Sequence, residues 1–210
     1  MFYDRNEAAI KLADKLLSYR GKNPLVLAVP RGAVPMASVI VDKLGGGLDV
    51  VLVRKLRAPY SPELAIGSVD ESGDIFIAGY SELAGADSNY IEYEKKIQMD
   101  IIQKRRSQYS SIRPPIDPAG RIVIVVDDGL ATGSTMISAL HSLRKRRAAK
   151  LICAVPVSPV ETLKKITELA DEVICLETPA NFQAVGQYYV NFPQIEDDEV
   201  IDTLQSELDR

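Results

Sequence analysis

Two adjacent carboxylates and the loop of small residues behind them are the part of this chain best suited to chemistry. Asp127 and Asp128 directly follow five β-branched residues, Ile122 to Val126. The loop comprises Gly129, Ala131, Thr132, Gly133, Ser134 and Thr135. Loop N–H groups and hydroxyls at the start of a helix, where the dipole adds about half a positive charge, can hold a phosphate without a lysine. Carboxylates accept hydrogen bonds from vicinal hydroxyls and can steady a divalent cation through them. A phosphate beside a diol describes ribose 5-phosphate.

The same residues also suit a plain strand-to-helix connection, because Asp-Gly and Thr-Gly are ordinary turn sequences. Two other phosphate loops are excluded. The Walker loop requires Gly-Lys followed by Ser or Thr, whereas Gly133 is followed directly by Ser134. The dinucleotide loop requires G-x-G-x-x-G, and Gly129 and Gly133 lie too far apart for that pattern.

Basic residues follow two other apolar runs. Arg31 and Gly32 come just after the run 25–29, and Arg54 and Lys55 come just after the run 49–53. If these runs are parallel strands, the loops at their carboxyl ends share one crevice with the acid pair. Cations on one side of a phosphate-and-diol site would suit a pyrophosphate leaving group. Each group alone also has a plain reading, as an ordinary turn or a solvated basic loop.

Hydrophobic periodicity and turn signals predict the elements that position these residues. Helices are predicted over 4–19, 36–44, 88–109, 134–147 and 197–207, with another starting at Ser158. Strands are predicted over 25–29, 49–53, 122–126, 151–157 and 172–176, and a β-hairpin over 64–69 and 74–78. Alternating strands and helices indicate an α/β protein with a five-stranded parallel core sheet flanked by helices. The hairpin either projects from the crevice or lies statically on the sheet edge.

The stretch from Arg121 to Met136 resembles the phosphoribosyl pyrophosphate motif of the type I phosphoribosyltransferases: four apolar residues, two acids, then a Gly/Thr-rich loop. Arg54-Lys55 resembles the family's Arg-Lys pair. Pro30 to Ala33 occupies the place of the family's pyrophosphate loop, which can carry a cis non-proline peptide. The resemblance covers Leu25 to Val200 and is closest to an uncharacterised group of phosphoribosyltransferases.

The resemblance implies one phosphoribosyltransferase domain over 1–210, with a core at about 20–176, a flexible β-hairpin at about 56–79 and a small C-terminal hood at about 177–210. The implied reaction transfers ribose 5-phosphate from phosphoribosyl pyrophosphate to a nitrogen acceptor, a nucleobase, with loss of pyrophosphate and help from Mg²⁺. Arg31, Arg54 and Lys55 would be the catalytic cations. Asp127 and Asp128 would hold the ribose hydroxyls and reach the metal only through those hydroxyls or water.

The remaining implied contacts divide between the loops and the hood. The residues that would bind phosphoribosyl pyrophosphate are Arg31, Gly32, Asp127, Asp128, Gly129, Ala131, Thr132, Gly133, Ser134 and Thr135. Phe182, Val185 and Tyr188 would receive the base, since exposed rings near a crevice can stack on a flat heterocycle. The aromatic stretch 178–192 also suits a simple cover over the core, and no motif names the acceptor.

Composition narrows the class of protein further. The chain has 210 residues, 46% of them hydrophobic, which supports one sizeable core. A net charge of −4 gives no reason to expect nucleic-acid binding. Cys153 and Cys175 lie in apolar runs and are expected to be buried free thiols, and the single histidine, His141, is expected mid-helix in a structural role. No run is long enough for a membrane span and no signal peptide is visible, so we expect a cytoplasmic protein, compatible with a homodimer.

Two other functions stay open from the sequence. A regulatory protein that senses phosphoribosyl pyrophosphate without turnover would keep the same binding motif. Retention of Arg54-Lys55 and of the hairpin favours an enzyme over such a sensor. An unrelated phosphate-binding α/β protein would require the three loop matches to be coincidental.

Overall fold

Five parallel strands form the central sheet of the computed structural model, which describes residues 1–110 and 114–208. The strands in chain order are β1 (Leu25–Ala28), β2 (Gly47–Val50), β3 (Val53–Ala58), β4 (Ser61–Asp70), β5 (Ile75–Ile77), β6 (Ile122–Val126), β7 (Lys150–Val157) and β8 (Glu172–Glu177). The helices are α1 (Arg5–Lys15), α2 (Val34–Leu44), α3 (Ser88–Ser110), α4 (Ser134–Lys145), α5 (Val160–Thr167) and α6 (Asp197–Leu208). The central sheet has the order β2-β1-β6-β7-β8. The predicted α/β class and five-stranded parallel sheet are confirmed.

The central strands are buried on both faces, as their continuous apolar runs predict. All four residues of β1 are buried, as are the last four of β6. Alternate side chains of these strands join two separate hydrophobic clusters. Helices α1 and α2 cover one face and α4 and α5 cover the other. Because β1 and β6 pair in parallel, their carboxyl ends open on the same edge of the sheet.

The basic residues Arg54 and Lys55, here called the basic cluster, lie in a different element from the one predicted. Strand β2 ends at Val50, and Arg54 and Lys55 lie within β3, which pairs antiparallel with β4 in a separate three-stranded sheet with β5. The prediction of a single strand over 49–53 was therefore wrong at its end. Nothing in a continuous apolar run shows where one buried strand ends and the chain passes into the next sheet.

The hairpin itself is confirmed, since β4 and β5 pair antiparallel around the turn 71–74. This turn lies against the core rather than standing free of it. Glu71 contacts Arg106 of α3 at 2.6 Å and Arg146 at 3.4 Å, while Asp70 accepts a hydrogen bond from Ser142 of α4. Phe76 of β5 stacks on His141 at 4.1 Å between ring centroids, which gives that histidine its structural role.

One helix start agrees with the prediction and one differs from it. Helix α3 begins at Ser88 as predicted, and Asp87 caps it, because its carboxylate accepts from the backbone N–H of Tyr90 at 2.8 Å. At α5 the N-cap is Pro159, without a side-chain cap from Ser158. Ser is a favoured cap and proline a favoured first helical residue, which is why the sequence indicated a start at Ser158.

The C-terminal helix α6 packs on α2, α3 and β2 through Val200 and Leu204, which are buried. Between β8 and α6 runs the irregular stretch 178–196, here called the hood segment. Cys153 is buried and Cys175 half-buried, both as free thiols, and burial raises the pKa of Cys175 to about 11. Within the described residues no helix is both long and apolar enough to cross a membrane.

Candidate active site

The two acids at the end of β6 have different surroundings. Asp128 forms a partly buried ion pair with Arg5 of α1, with Oδ2 lying 2.8 Å from Nη2 and 2.9 Å from Nε. Asp127 accepts the backbone N–H of Asp128 on its Oδ1 at 2.9 Å. Burial raises the pKa of both carboxyls, and for Asp127 the neighbouring Asp128 charge raises it further, while Arg5 opposes the rise in each. Of the two, Asp127 is the acid without an ion-pair partner among the described residues.

Arg5 was not identified from the sequence. Its side chain is only 11% exposed although it begins a helix. A signal was present, because Arg5 shares the helical face of Ala8, Ala9 and Leu12, which are all fully buried. A charged residue within an apolar stripe requires a buried partner of opposite charge, and a lone sequence does not show that the partner lies 123 residues away.

The loop after the acid pair presents the start of α4 to the crevice. Gly133 is the N-cap residue, in the left-handed region with φ of 72°, and no described side chain caps the first turn of α4. Thr132 and Ser134 share a hydrogen bond between hydroxyls at 2.9 Å. The carbonyl of Ala131 accepts from Thr162 of α5 at 2.6 Å, which ties the loop down. First-turn N–H groups without a capping side chain, beside hydroxyls, can receive a phosphate.

The loop after β1 runs directly beneath the acid pair. The Pro30–Arg31 peptide bond is cis, a feature that the sequence left open. A Cβ built on Gly32 would lie 2.1 Å from Oδ2 of Asp128, so only glycine fits there. Arg31 points toward the far end of the hood segment, where its Nη1 lies 2.9 Å from Glu196 and 3.6 Å from Asp197. The Arg31 guanidinium, which we expected to bind pyrophosphate, is therefore already paired with a carboxylate.

Arg54 and Lys55 border cavities beside the phosphate loop. A cavity of ≈ 160 Å³ is lined by Pro30, Arg54, Arg105 and Thr135, among others. A more open one of ≈ 350 Å³ is lined by Val53, Arg54, Lys55, Arg57, Pro62 and Thr135. Arg54 donates from Nε to Gln98 of α3 at 2.9 Å, and burial with the nearby Arg105 and Arg57 lowers its pKa. Such a cationic surface favours an anionic ligand.

The predicted base-binding residues form two contacts in the hood segment. Phe182 and Tyr188 stack on each other, with centroids 5.5 Å apart and planes 14° from parallel. Val185 lies against the loop after the acid pair, because a Cβ built on Gly129 would approach its Cγ1 to 2.5 Å. Next along, Tyr189 donates its hydroxyl to the carbonyl of Asp128 at 2.7 Å. The hood segment is thus joined to the acid pair.

The structure brings several of the predicted residues together, whereas Arg31 pairs elsewhere and Phe182 and Tyr188 contact each other. Gly32 meets Asp128, Val185 meets Gly129, and Arg54 and Lys55 border a cavity with Thr135. Arg31 instead pairs with Glu196. Across 1–110 and 114–208, no three His, Cys, Asp or Glu side chains cluster as a metal cage. The two carboxylates of Asp127 and Asp128 are oxygen donors of the kind Mg²⁺ prefers, but by themselves they do not form an all-protein cage.

Comparison with known proteins places this geometry in a family. The model of the phosphoribosyl transferase domain family matches residues 3–193. Two Mycobacterium tuberculosis proteins, from strains CDC 1551 and H37Rv, are provisionally named phosphoribosyl transferases and are each 41% identical over 206 residues. The match covers 96% of this chain and 46% of either protein, so the chain spans about half the length of the curated relatives it matches.

A solved structure agrees over the whole fold. The crystal structure of TT1426 from Thermus thermophilus is 40% identical, superposes with a TM-score of 0.89 and covers 98% of both chains. The likeness therefore extends over the three-stranded sheet and the hood segment as well as the central sheet. With the family match over 3–193, these similarities show that the chain belongs to the phosphoribosyl transferase domain family.

Proposed function

We propose that this chain is a phosphoribosyltransferase: it transfers ribose 5-phosphate from phosphoribosyl pyrophosphate to a nitrogen acceptor, a nucleobase, and releases pyrophosphate. The observation that carries this proposal is the convergence on one sheet edge of the acid pair, the start of α4 and the Arg54–Lys55 cavities. The phosphorylated substrate does not cross membranes unaided, so we place the activity in the cytoplasm.

The ribose 5-phosphate half of the substrate belongs at β6 and α4. The 5-phosphate would receive the N–H groups of the first turn of α4, with the hydroxyls of Thr132, Ser134 and Thr135. Asp127, which has no ion-pair partner in the described part of the chain, would accept hydrogen bonds from the ribose hydroxyls. Burial in a region of low dielectric strengthens each of these bonds relative to water.

The pyrophosphate half belongs at the cations. Arg54 and Lys55 border the space next to Thr135, so their charges lie at the edge of the site assigned to ribose 5-phosphate. Arg31 would join them after exchanging Glu196 for a pyrophosphate oxygen. Fixed cations at the position where negative charge develops lower the barrier without a nucleophilic side chain.

Bond changes at the anomeric carbon complete the reaction. The bond from that carbon to the pyrophosphate oxygen breaks, and its electron pair leaves with pyrophosphate. The lone pair of the acceptor nitrogen forms the new bond, and the nitrogen then loses its proton to solvent. Mg²⁺, when bound, would neutralise charge on the pyrophosphate oxygens. The hood segment would hold the acceptor against an outer face of the Phe182–Tyr188 stack, since aromatic rings can stack on a flat heterocycle.

A screen for pyrophosphate release tests the proposal. Purified protein is incubated with phosphoribosyl pyrophosphate, Mg²⁺ and single nucleobases, and release is measured with and without each acceptor. We expect acceptor-dependent release with at least one base and its loss in Asp127→Asn. Glu161→Gln, an exposed change on α5, is the matched control and should leave release unchanged. Acceptor-dependent release that survives Asp127→Asn would contradict the assigned site.

A second candidate function is a sensor that binds phosphoribosyl pyrophosphate without turnover. One observation favours it: Arg31 and Asp128 are both engaged by internal partners, so ligand binding at Arg31 would rearrange the hood segment. A ligand-driven rearrangement is what a regulatory protein requires. Tight calorimetric binding of phosphoribosyl pyrophosphate, with no pyrophosphate released for any base, would support the sensor over the enzyme.

A further inference from the structure

Arg5 touches the acid pair and the hood segment at the same time. Its Nε and Nη2 contact Oδ2 of Asp128, at 2.9 and 2.8 Å, and its Nη1 donates to the carbonyl of Pro193 at 2.6 Å. The guanidinium carbon lies 3.7 Å from the centroid of the Phe192 ring. The planar, delocalised cation thus has one edge on a carboxylate, one on a carbonyl and its face on an aromatic ring. Lysine could not satisfy all of these contacts.

The surrounding contacts hold Arg5 in this position. The backbone N–H of Phe2 donates to the carbonyl of Tyr188 at 2.7 Å, and that of Val190 donates to the carbonyl of Phe2 at 2.9 Å. The Tyr189 ring stacks on Phe192 at 4.7 Å, and its hydroxyl reaches the carbonyl of Asp128. The start of α1, the hood segment and the end of β6 are therefore joined at one point.

The contact geometry also determines what Asp128 can offer a ligand. Both contacts from Arg5 fall on Oδ2, so Arg5 leaves Oδ1 available. Gly32 approaches the same Oδ2, with a Cβ-to-oxygen distance of 2.1 Å if the residue were alanine. The carboxylate is therefore held between a cation and a backbone, with little freedom to rotate. Such fixing reduces the entropy lost when a hydroxyl of the ligand binds.

We propose that Arg5 is a positioning residue of the ribose site, which acts through Asp128 and fastens the hood segment beside it. The inference rests on the proposed function, because it concerns the site assigned to ribose. It adds helix α1 to that site and divides the acid pair: Asp127 meets the ligand directly, and Asp128 meets it only in the orientation that Arg5 sets. The ligand class is a phosphorylated ribose with free vicinal hydroxyls.

A double-mutant cycle on ligand affinity tests this role. Calorimetry measures ribose 5-phosphate and phosphoribosyl pyrophosphate binding to wild type, Arg5→Gln, Asp128→Asn and the double variant. We expect Arg5→Gln to weaken binding by about tenfold in wild type, the loss of one charge-assisted contact, and by less than about twofold once Asp128 is Asn. Arg5→Lys keeps the charge and should recover part of the loss.

Controls separate positioning from a loss of folding. Lys11→Gln removes an exposed cation from the same helix, paired with Glu7 at 2.7 Å, and should leave affinity unchanged. Thermal melts identify any variant that does not fold, and Arg5→Lys then carries the test in its place. The exchange rate of the Val190 and Asn191 amides should rise in Arg5→Gln, since the hood segment loses its contacts with the guanidinium.

The outcomes distinguish the inference from the function on which it rests. An equal cost of Arg5→Gln in the wild-type and Asp128→Asn backgrounds overturns the positioning role and leaves the transferase proposal standing. Absence of binding of both ligands to wild type overturns the proposed function and the positioning role together. A tenfold loss that vanishes in the Asp128→Asn background, with faster exchange at 190–191, supports the proposal.

Discussion

Gly32 and Asp128 are in such close contact that a Cβ built on the glycine would lie 2.1 Å from Oδ2 of the aspartate. The two residues follow β1 and β6, which are neighbours in the sheet with Ala28 opposite Val126. The backbone bond from Val29 N–H to the Val126 carbonyl, at 2.9 Å, continues this pairing just past the strand ends. The loop after β1 and the acid pair are thus a single packed unit, and a change in one must displace the other.

Gly32→Ala should therefore disable the acid pair although it alters no polar group. The added methyl would overlap Oδ2, so either the carboxylate rotates off Arg5 or the loop shifts. We expect ligand affinity to fall at least about tenfold and stability by about 1–3 kcal/mol. Calorimetry with phosphoribosyl pyrophosphate and a denaturant titration measure the two effects.

Gly79→Ala is the matched control, since a Cβ there meets nothing within 4 Å. It should leave both affinity and stability close to wild type. Unchanged affinity in Gly32→Ala would mean that Asp128 makes no contribution to the ligand site.

Gly133→Val should abolish ribose 5-phosphate binding for two reasons. A side chain at φ of 72° is strained by about 1–2 kcal/mol, and the new Cβ would lie 2.6 Å from Cγ2 of Thr162. Relief of that contact moves the loop that presents the first turn of α4. Gly120→Val is the control with the same backbone strain, at φ of 70°, and nothing within 4 Å. Titration of ribose 5-phosphate into both variants should show loss only for Gly133→Val; equal affinities would place the phosphate elsewhere.

Glu196→Gln should strengthen pyrophosphate binding. Glu196 holds the Arg31 guanidinium at 2.9 Å, so a ligand oxygen must displace it. The glutamate side chain is 60% exposed, and exposed ion pairs contribute about 0.2–1 kcal/mol, which predicts an affinity gain of about 1.5- to 5-fold. Calorimetry with pyrophosphate checks the gain, and its disappearance at high salt in a wild-type comparison would support the electrostatic cause. Weaker binding in Glu196→Gln would show that the pair orients Arg31 for the ligand instead.

Hydrogen exchange should show which turn of the three-stranded sheet responds to ligand binding. Pro62, which follows the β3–β4 turn, lines the cavity with Arg54 and Lys55, whereas Glu71 at the other turn is held by Arg106 and Arg146. We expect amides across 58–64 to exchange more slowly when phosphoribosyl pyrophosphate and Mg²⁺ bind, and those across 70–74 to stay unchanged. Slowing confined to 70–74 would instead show that the β4–β5 turn responds to the ligand.

The central sheet could be predicted from the sequence because its signal is local. Runs such as Ile122–Val126 are apolar at every position, as a strand buried on both faces requires. The acids that follow the run mark its carboxyl end. The loops after β1 and β6 then had to meet, since parallel strands in one sheet open on the same edge. The cis peptide at Pro30–Arg31 was not predictable: the resemblance raised it as a possibility, and no residue pattern decided it.

What the sequence could not show is which side chains pair across the fold. Arg5 and Asp128 are 123 positions apart, and Arg31 and Glu196 are 165 apart, so no periodic pattern links either pair. The basic cluster was assigned to the end of a strand because Val51 and Leu52 continue the apolar run of β2, although the chain there is passing into a second sheet. Side-chain partners and sheet changes are decided by tertiary packing, which a single sequence does not record.

The bond from Arg5 to the Pro193 carbonyl spans 188 positions, and this has a consequence for how the domain acquires its function. Arg5 is synthesised well before the hood segment, so the contacts that join Arg5, Asp128 and Pro193 cannot form until residue 193 has been added. Contacts of such sequence separation also form late in folding, because the closure entropy of long loops must be overcome first. A ligand bound at this site would therefore stabilise only chains that have folded from α1 through the hood segment, and would add nothing to the stability of partly made or partly folded chains.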